Sequence, residues 1–254
     1  MQKRSDSNLL GIDVSHHNGT IDWNAVITSG VKFVFIKATE GIGYTDPKFR
    51  ANADGANRAG LQVGFYHYAR PETGNTAISE AVSFTKTING VKAELPHVLD
   101  LEGAASKLGR TALTRWAVDW LKEVKKITGH NVMLYTGASF AKTYCGPELG
   151  QFPLWVAHYG VQQPLGNQTW SRWSVFQFTE TGRVNGIRGN VDMNVMEANF
   201  VKSSDIEGHW AEQAIKEVME AGIMSGRSNS GFSPNEPLTR AEAAVIVNRI
   251  LKKF

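Results

Sequence analysis

The sequence predicts an α/β barrel followed by a small all-α module. Over about 200 residues, short β-rich apolar runs alternate with helix-like stretches, the pattern of parallel strands linked by helices. After Phe200 it gives way to two amphipathic stretches around a loop rich in Gly, Ser, Asn and Pro. With 254 residues, 42% hydrophobic and 20% charged, the chain has the length and composition for one large globular domain and one small one.

Strands are read at residues 31–35, 61–68, 96–101, 131–135, 154–157 and 174–178, each a short β-branched, aromatic and aliphatic run. Helices are read between them at 22–29, 48–59, 77–88 and 111–128. In the last, Leu113, Trp116, Ala117, Trp120, Leu121 and Val124 form one apolar stripe. Residues 1–200 are assigned to the barrel and 203–254 to the module, with a polar connector at 201–204. In the module, Trp210, Ala211, Ala214, Ile215, Val218 and Met219 mark a helix ending near Gly222. Thr239-Arg-Ala-Glu242 opens the second helix as a capping box, with Thr at the N-cap and Glu three residues later.

Barrel enzymes collect their chemistry at the C-terminal ends of strands. Glu40, Tyr68 and Tyr135 are expected at such ends, together with Asp100 and Glu102 of Pro96-His-Val-Leu-Asp-Leu-Glu102. Residues i and i+2 share one side of an extended strand, so this pair can present two carboxylates to one site. Glycoside hydrolysis needs that equipment when a third acid stands nearby. A solvated acidic turn or a divalent-metal pair would use the same two residues. Asp13, in Gly11-Ile-Asp-Val-Ser-His-His-Asn-Gly19, and Asp192, in Val191-Asp-Met-Asn194, are the further acids. Each could instead form a turn or a loop hydrogen bond.

No run of 18 apolar residues is present, so no membrane-spanning helix is expected. Lys3 and Arg4 are not followed by an apolar h-region, so no secretory signal is expected either. The lone Cys145 has no internal partner and reads as a buried thiol. Residues 1–204 hold 21 Lys and Arg against 17 Asp and Glu, and residues 205–254 hold 6 against 7. That excess is too small and scattered for a nucleic-acid partner. His16-His17 lacks the ligands to complete a metal site and reads as orienting Asp13. Gly41-Ile-Gly43 lacks the rest of a dinucleotide loop, and no cofactor is expected.

These acid-bearing segments occur in order with Ile21-Asp-Trp23, Phe33-Val-Phe-Ile-Lys37-Ala-Thr-Glu40-Gly41, Gly64-Phe-Tyr66-His-Tyr68, Leu134-Tyr135, Leu154-Trp155-Val-Ala-His-Tyr159 and Phe176-Gln177-Phe178. The set resembles glycoside hydrolase family 25, the lysozymes that cut bacterial peptidoglycan, over roughly residues 9–200. The resemblance implies a flattened, irregular β/α barrel that hydrolyses the β-1,4 bond from N-acetylmuramic acid to N-acetylglucosamine with retention. It implies Glu102 as general acid/base, with Asp100 raising its pKa or orienting the substrate's 2-acetamido group. The nucleophile is a carboxylate, Asp13 or Asp192, or the acetamido oxygen itself. The Asp-x-Glu spacing favours the acetamido group, with Asp100 orienting it. Tyr66, Tyr135 and Trp155, with Tyr44 beside them, are candidates to stack on sugars, and Gln177 and Lys37 are polar neighbours.

In the module, Asp205-Ile-Glu-Gly-His-Trp210-Ala, Ala221-Gly-Ile-Met-Ser-Gly226, Gly231-Phe-Ser-Pro234 and Leu238-Thr-Arg240-Ala-Glu242 resemble one S-layer homology repeat. This implies binding to an anionic secondary wall polysaccharide. Arg240 would meet the negative charge, while Asp205, Trp210 and Gly226 shape the groove. Such repeats commonly work in threes, so a single copy either associates with two other chains, docks on its own barrel or binds weakly; its apolar stripe favours self-association as a trimer. Together the expectations describe a wall-anchored muramidase of the phage endolysin type, made in the host cytoplasm and acting on the wall after release. A secreted autolysin is the other setting. The competing class is a catalytically inactive wall-binding protein, against which the presence of all four acids argues. An amidase would need zinc ligands or a nucleophile that the sequence does not offer.

Overall fold

The computed structural model describes residues 1–200, 206, 209–226 and 232–253, in two compact units, Met1–Glu197 and Ala198–Phe254. In the first unit the strands are β1 (Leu9–Val14), β2 (Phe33–Glu40), β3 (Tyr44–Thr45), β4 (Gln62–Tyr68), β5 (His97–Asp100), β6 (Val132–Gly137), β7 (Leu154–Ala157), β8 (Val175–Gly182) and β9 (Val191–Met196). Its helices are α1 (Trp23–Thr28), α2 (Phe49–Arg58), α3 (Ala77–Ile88), α4 (Gly109–Thr128) and α5 (Ala138–Tyr144). The sheet order is β1-β9-β8-β7-β6-β5-β4-β2-β3, and a further β1–β2 pairing closes eight strands into a barrel. The two-residue β3 is appended to the end of β2.

The barrel is mixed rather than all-parallel. β9 runs antiparallel to both β8 and β1. Only eight residues separate β8 from β9, too few for the crossover that a parallel neighbour requires. Neither β1 nor β9 is among the strands read from the sequence, because Asp13, Asp192 and Asn194 on their inner faces cut the apolar runs short. β2 begins at Phe33 and continues past the apolar run to Glu40, forming part of the rim.

Period-2 alternation sorts the strand residues into two layers. Ile12, Val34, Val63, Leu99, Leu134 and Val156 face outward and pack with helix residues such as Ala53, Phe84 and Trp120. Full burial of side chains of this size contributes about 1.5–3 kcal/mol each. The alternate residues fill the interior. Phe35 on β2 and Trp155 on β7 stack with ring centroids 4.5 Å apart, although three strands lie between them in either direction around the barrel. Small residues admit these rings: a Cβ on Gly11 would lie 2.2 Å from the Phe33 ring, and one on Gly64 would lie 2.5 Å from Phe35.

Capping fixes where the helices start. Asp22 accepts from the N–H groups of Asn24 and Ala25 at the start of α1, and Thr76 accepts from Ser79 N–H at the start of α3. Between sheet and helices lies a fully buried polar strut. His67 Nδ1 is 2.7 Å from Thr39 Oγ1, its Nε2 is 2.7 Å from Glu80 Oε2, and the ring stacks on Trp120. These groups satisfy one another inside an otherwise apolar layer.

The second unit contains α6 (Glu212–Glu220) and α7 (Arg240–Leu251). The capping box at Thr239 is present: Glu242 N–H donates to Thr239 Oγ1 at 3.2 Å, and Thr239 N–H donates to Glu242 Oε2 at 2.8 Å. Arg249 donates to the carbonyl of Ile223, tying α7 to the chain that follows α6. Val245, Val247, Ile250 and Leu251 on α7 are exposed. No helix among the described residues is long and apolar enough to cross a membrane.

Candidate active site

Four acids converge on one end of the barrel from β1, β5, β9 and the chain just beyond β5. β5 ends at Asp100, and the backbone stays extended through Glu102. Leu101 N–H still donates to Tyr135 O at 3.0 Å, so Asp100 and Glu102 leave the sheet on the same side. Asp13 and Asp192 stand directly opposite each other in the antiparallel β1–β9 register.

Asp13 is buried and held by a relay of amides. Asn194 Nδ2 donates to Asp13 Oδ2 at 2.7 Å, and Gln177 Nε2 donates to the same oxygen at 2.8 Å. Trp155 Nε1–H donates to Asn194 Oδ1 at 2.8 Å, leaving the amide of Asn194 to face Asp13. Tyr135 and Tyr159 both donate their hydroxyls to Gln177 Oε1 at 2.8 Å. Asp13 is nonetheless pushed up to about 8, first by burial and then by the charge of Asp192. Asp192 is also raised, chiefly by burial, while its hydrogen bond with Asp13 lowers it. Burial thus favours the protonated form in both members of the pair, and more so in Asp13.

Asp100 is raised well above the carboxylate range by burial and then by Glu102, with Lys37 pulling it down. Its Oδ1 is buried without a hydrogen-bond partner among the described residues. Glu102 is half-buried; burial raises it, Lys37 lowers it and Asp192 raises it further. It lines a groove of about 600 Å³ with Tyr135, Gly137, Phe140, Tyr144 and Tyr159.

The aromatic candidates divide. Tyr66 is half-buried, and the nearby charges of Asp13 and Asp100 add to burial in raising its phenol. Tyr135 lines the groove while bonding Gln177. Trp155 is only 2% exposed, with one face on Phe35 and edge contacts to Tyr135 and Tyr66. It is a floor beneath the site and cannot stack on a sugar, which corrects the sequence expectation. Lys37 lies at the site, but its ammonium is engaged 2.8 Å from Glu40 Oε2. His16 does not orient Asp13; its Nδ1 is 2.7 Å from Asp46.

Sequence reasoning missed Asn194 and Tyr159 as parts of the relay. The i+2 step from Asp192 was a usable signal for Asn194. Tyr159 lies in the loop after β7, where no periodicity marks it. Among the described residues, no three His, Cys, Asp or Glu side chains are grouped to hold a metal ion. In the second unit Trp210 is 92% exposed and Arg240 is exposed at the first position of α7. Gly226 follows α6, and Asp205 lies outside the described residues.

Residues 12–187 match the family profile described as Glycosyl hydrolases family 25, and residues 204–244 match the S-layer homology domain. The chain is 38% identical over 199 residues to Lysozyme M1 of Streptomyces globisporus, covering 74% of this chain and 67% of that protein. It is 38% identical over 191 residues to the autolytic lysozyme of Clostridium acetobutylicum, covering 73% of this chain but 55% of that protein. The crystal structure of a bacterial lysozyme from Streptomyces coelicolor superposes with a TM-score of 0.67 at 35% identity, covering 76% of this chain and 93% of that one.

Proposed function

The chain belongs to glycosyl hydrolases family 25, and from that premise we propose that it is a lysozyme that cleaves bacterial peptidoglycan between N-acetylmuramic acid and N-acetylglucosamine with retention. The observation that carries the mechanism is the unpartnered, buried Oδ1 of Asp100 beside Glu102. That oxygen is an acceptor awaiting a donor, and the N–H of the substrate's 2-acetamido group supplies one. Accepting it favours the Asp100 anion, so the proton shared by the coupled acids goes to Glu102. Glu102 then protonates the leaving oxygen, while the acetamido oxygen, oriented by Asp100, attacks the anomeric carbon. Water assisted by Glu102 opens the resulting ring and restores the starting configuration.

Substrate assistance is preferred because Asp13 is a poor nucleophile: it is buried, protonated at neutral pH, and two amides occupy one of its oxygens. Asp192, accepting a hydrogen bond from protonated Asp13, stays anionic and supplies negative potential to the positive charge that develops at the anomeric carbon. Tyr66 and Tyr135 border the sugar, and Gln177 holds Asp13. Digestion of purified peptidoglycan by wild type and Glu102→Gln tests the reading. New reducing ends on muramic acid are expected from wild type alone, with NMR showing the β-anomer first. Fragments from both proteins would remove the acid assignment; none from either would leave a binding protein.

The segment matching the S-layer homology domain is proposed to anchor the enzyme to anionic wall polysaccharide through Trp210 and Arg240, with Gly226 and Asp205 shaping the groove. The exposed apolar residues of α7 support association of three copies. Full-length protein should cosediment with walls, and Arg240→Ala should release it. Light scattering should give the mass of a trimer. Its proposed setting is phage-type lysis: expression inside a Gram-positive host should lyse cells only when the membrane is permeabilised.

A further inference from the structure

In a regular strand, residues three apart point to opposite faces. Lys37 and Glu40 nevertheless meet on the inner face of β2, with Nζ and Oε2 2.8 Å apart. The register with β4 explains this: Lys37 pairs with Tyr66 and Thr39 pairs with His67, so Ala38 is the extra residue of a β-bulge. The bulge turns Thr39 outward, where it bonds the buried His67–Glu80 strut, and leaves Lys37 and Glu40 together at the rim. Arg70, beyond β4, holds the other oxygen of Glu40 at 2.7 Å.

The Lys37 ammonium is thereby caged. Glu40 binds it, while the rings of Tyr68 and Tyr44 lie 5.1 and 5.7 Å away. Asp100, level with Glu40 and Tyr68 in the register of β2, β4 and β5, and Glu102, just beyond it, are the carboxyl groups on which its charge acts. An ammonium on a four-carbon stem is otherwise mobile, and its influence on a neighbouring acid falls with distance.

We propose that Glu40 is a positioning residue: anchored by Arg70 and brought inward by the bulge at Ala38, it fixes the Lys37 ammonium beside Asp100 and Glu102. The inference rests on the reading of that pair as the reacting acids. Glu40 touches no substrate. It acts through Lys37, so its loss matters only while Lys37 is present.

The test is a double-mutant cycle on the full-length protein with Glu40→Gln, Lys37→Met and both, measuring kcat, KM and pH profile on soluble peptidoglycan, with melting curves. Glu40→Gln should lower kcat about tenfold with KM little changed. The double variant should match Lys37→Met in kcat and in pH profile, because the second change removes nothing further. Losses that multiply in the double variant, or wild-type kcat in Glu40→Gln, would overturn the proposal. So would a fall in melting temperature with an unchanged pH profile, the mark of a purely structural residue. Glu102→Gln, assayed alongside, separates the two claims: full activity there removes the acid assignment, whereas an inactive Glu102→Gln with a multiplicative cycle removes only the role of Glu40.

Discussion

Asp13 and Asp192 face each other across the β1–β9 ladder, and burial favours the protonated form most strongly in Asp13, the more deeply buried of the two. An asparagine at position 13 reproduces that state, since its carbonyl can accept from Gln177 and Asn194 while its amide donates to Asp192. Asp13→Asn should therefore retain activity within about tenfold of wild type, whereas a nucleophile would lose several orders of magnitude. Initial rates on peptidoglycan decide between them.

The same pair makes a stability prediction. The folded-state pKa of Asp13 is raised from 3.8 to about 8, so the folded protein binds the extra proton between those values. Its contribution is fully present below pH 3.8 and is lost as pH rises through about 8. Asp13→Asn should abolish that loss and melt above wild type at pH 9, as read by calorimetry.

As the proposed general acid Glu102 acts in its protonated form, and its pKa is raised above the ordinary carboxylate value. The alkaline limb of kcat/KM should then lie above the usual glutamate range. Lys37 lowers Glu102, so Lys37→Met should move that limb to higher pH. A limb moving downward would show that another group sets it.

His97 is buried at the other end of β5 and depressed from 6.5 to about 3, by burial first and by His130 second. The unfolded chain therefore takes up a proton that the folded chain refuses, and stability falls as pH drops from about 7 towards 3. The loss is roughly 3 kcal/mol by pH 4. His97→Leu should flatten this acid limb in urea titrations at successive pH values.

Gly137 lines the groove beside Glu102, has a negative φ, and a Cβ there would meet nothing within 4 Å. Gly137→Leu should fold normally yet fill the groove, raising KM on peptidoglycan by about tenfold. Trp155→Phe gives the opposite pattern. It removes the bond to Asn194 beneath the site, so kcat and melting temperature should fall while KM stays nearly constant.

The helices α1–α4 and the two of the module were legible in the sequence because amphipathic stripes and caps are local, as in α4 and at Thr239; α5, with seven residues and no side-chain cap, was not. Asp100 and Glu102 were legible because an extended backbone carries its own i, i+2 rule. The closing strand β9 was not, since its polar inner face suits a partner, Asp13, that lies 179 positions away. Trp155 was misread for the same reason: sequence marks an aromatic near a strand end but not that Phe35 covers its face from the opposite wall. The bulge at Ala38 left no local trace at all, because a bulge is defined by the register of its neighbour.

The glycines opposite Phe33 and Phe35 bear on how this scaffold can vary. At Gly11 and Gly64 even one methyl group collides with an aromatic ring, and overpacking of this kind costs about 1–3 kcal/mol. The partly buried rim of Lys37, Glu40 and Arg70 is held by ion pairs, so substitutions there change charge more than packing. Directed evolution towards a new pH range should accumulate substitutions at that rim and almost none in the interior, so the pH optimum could be retuned with the core left untouched.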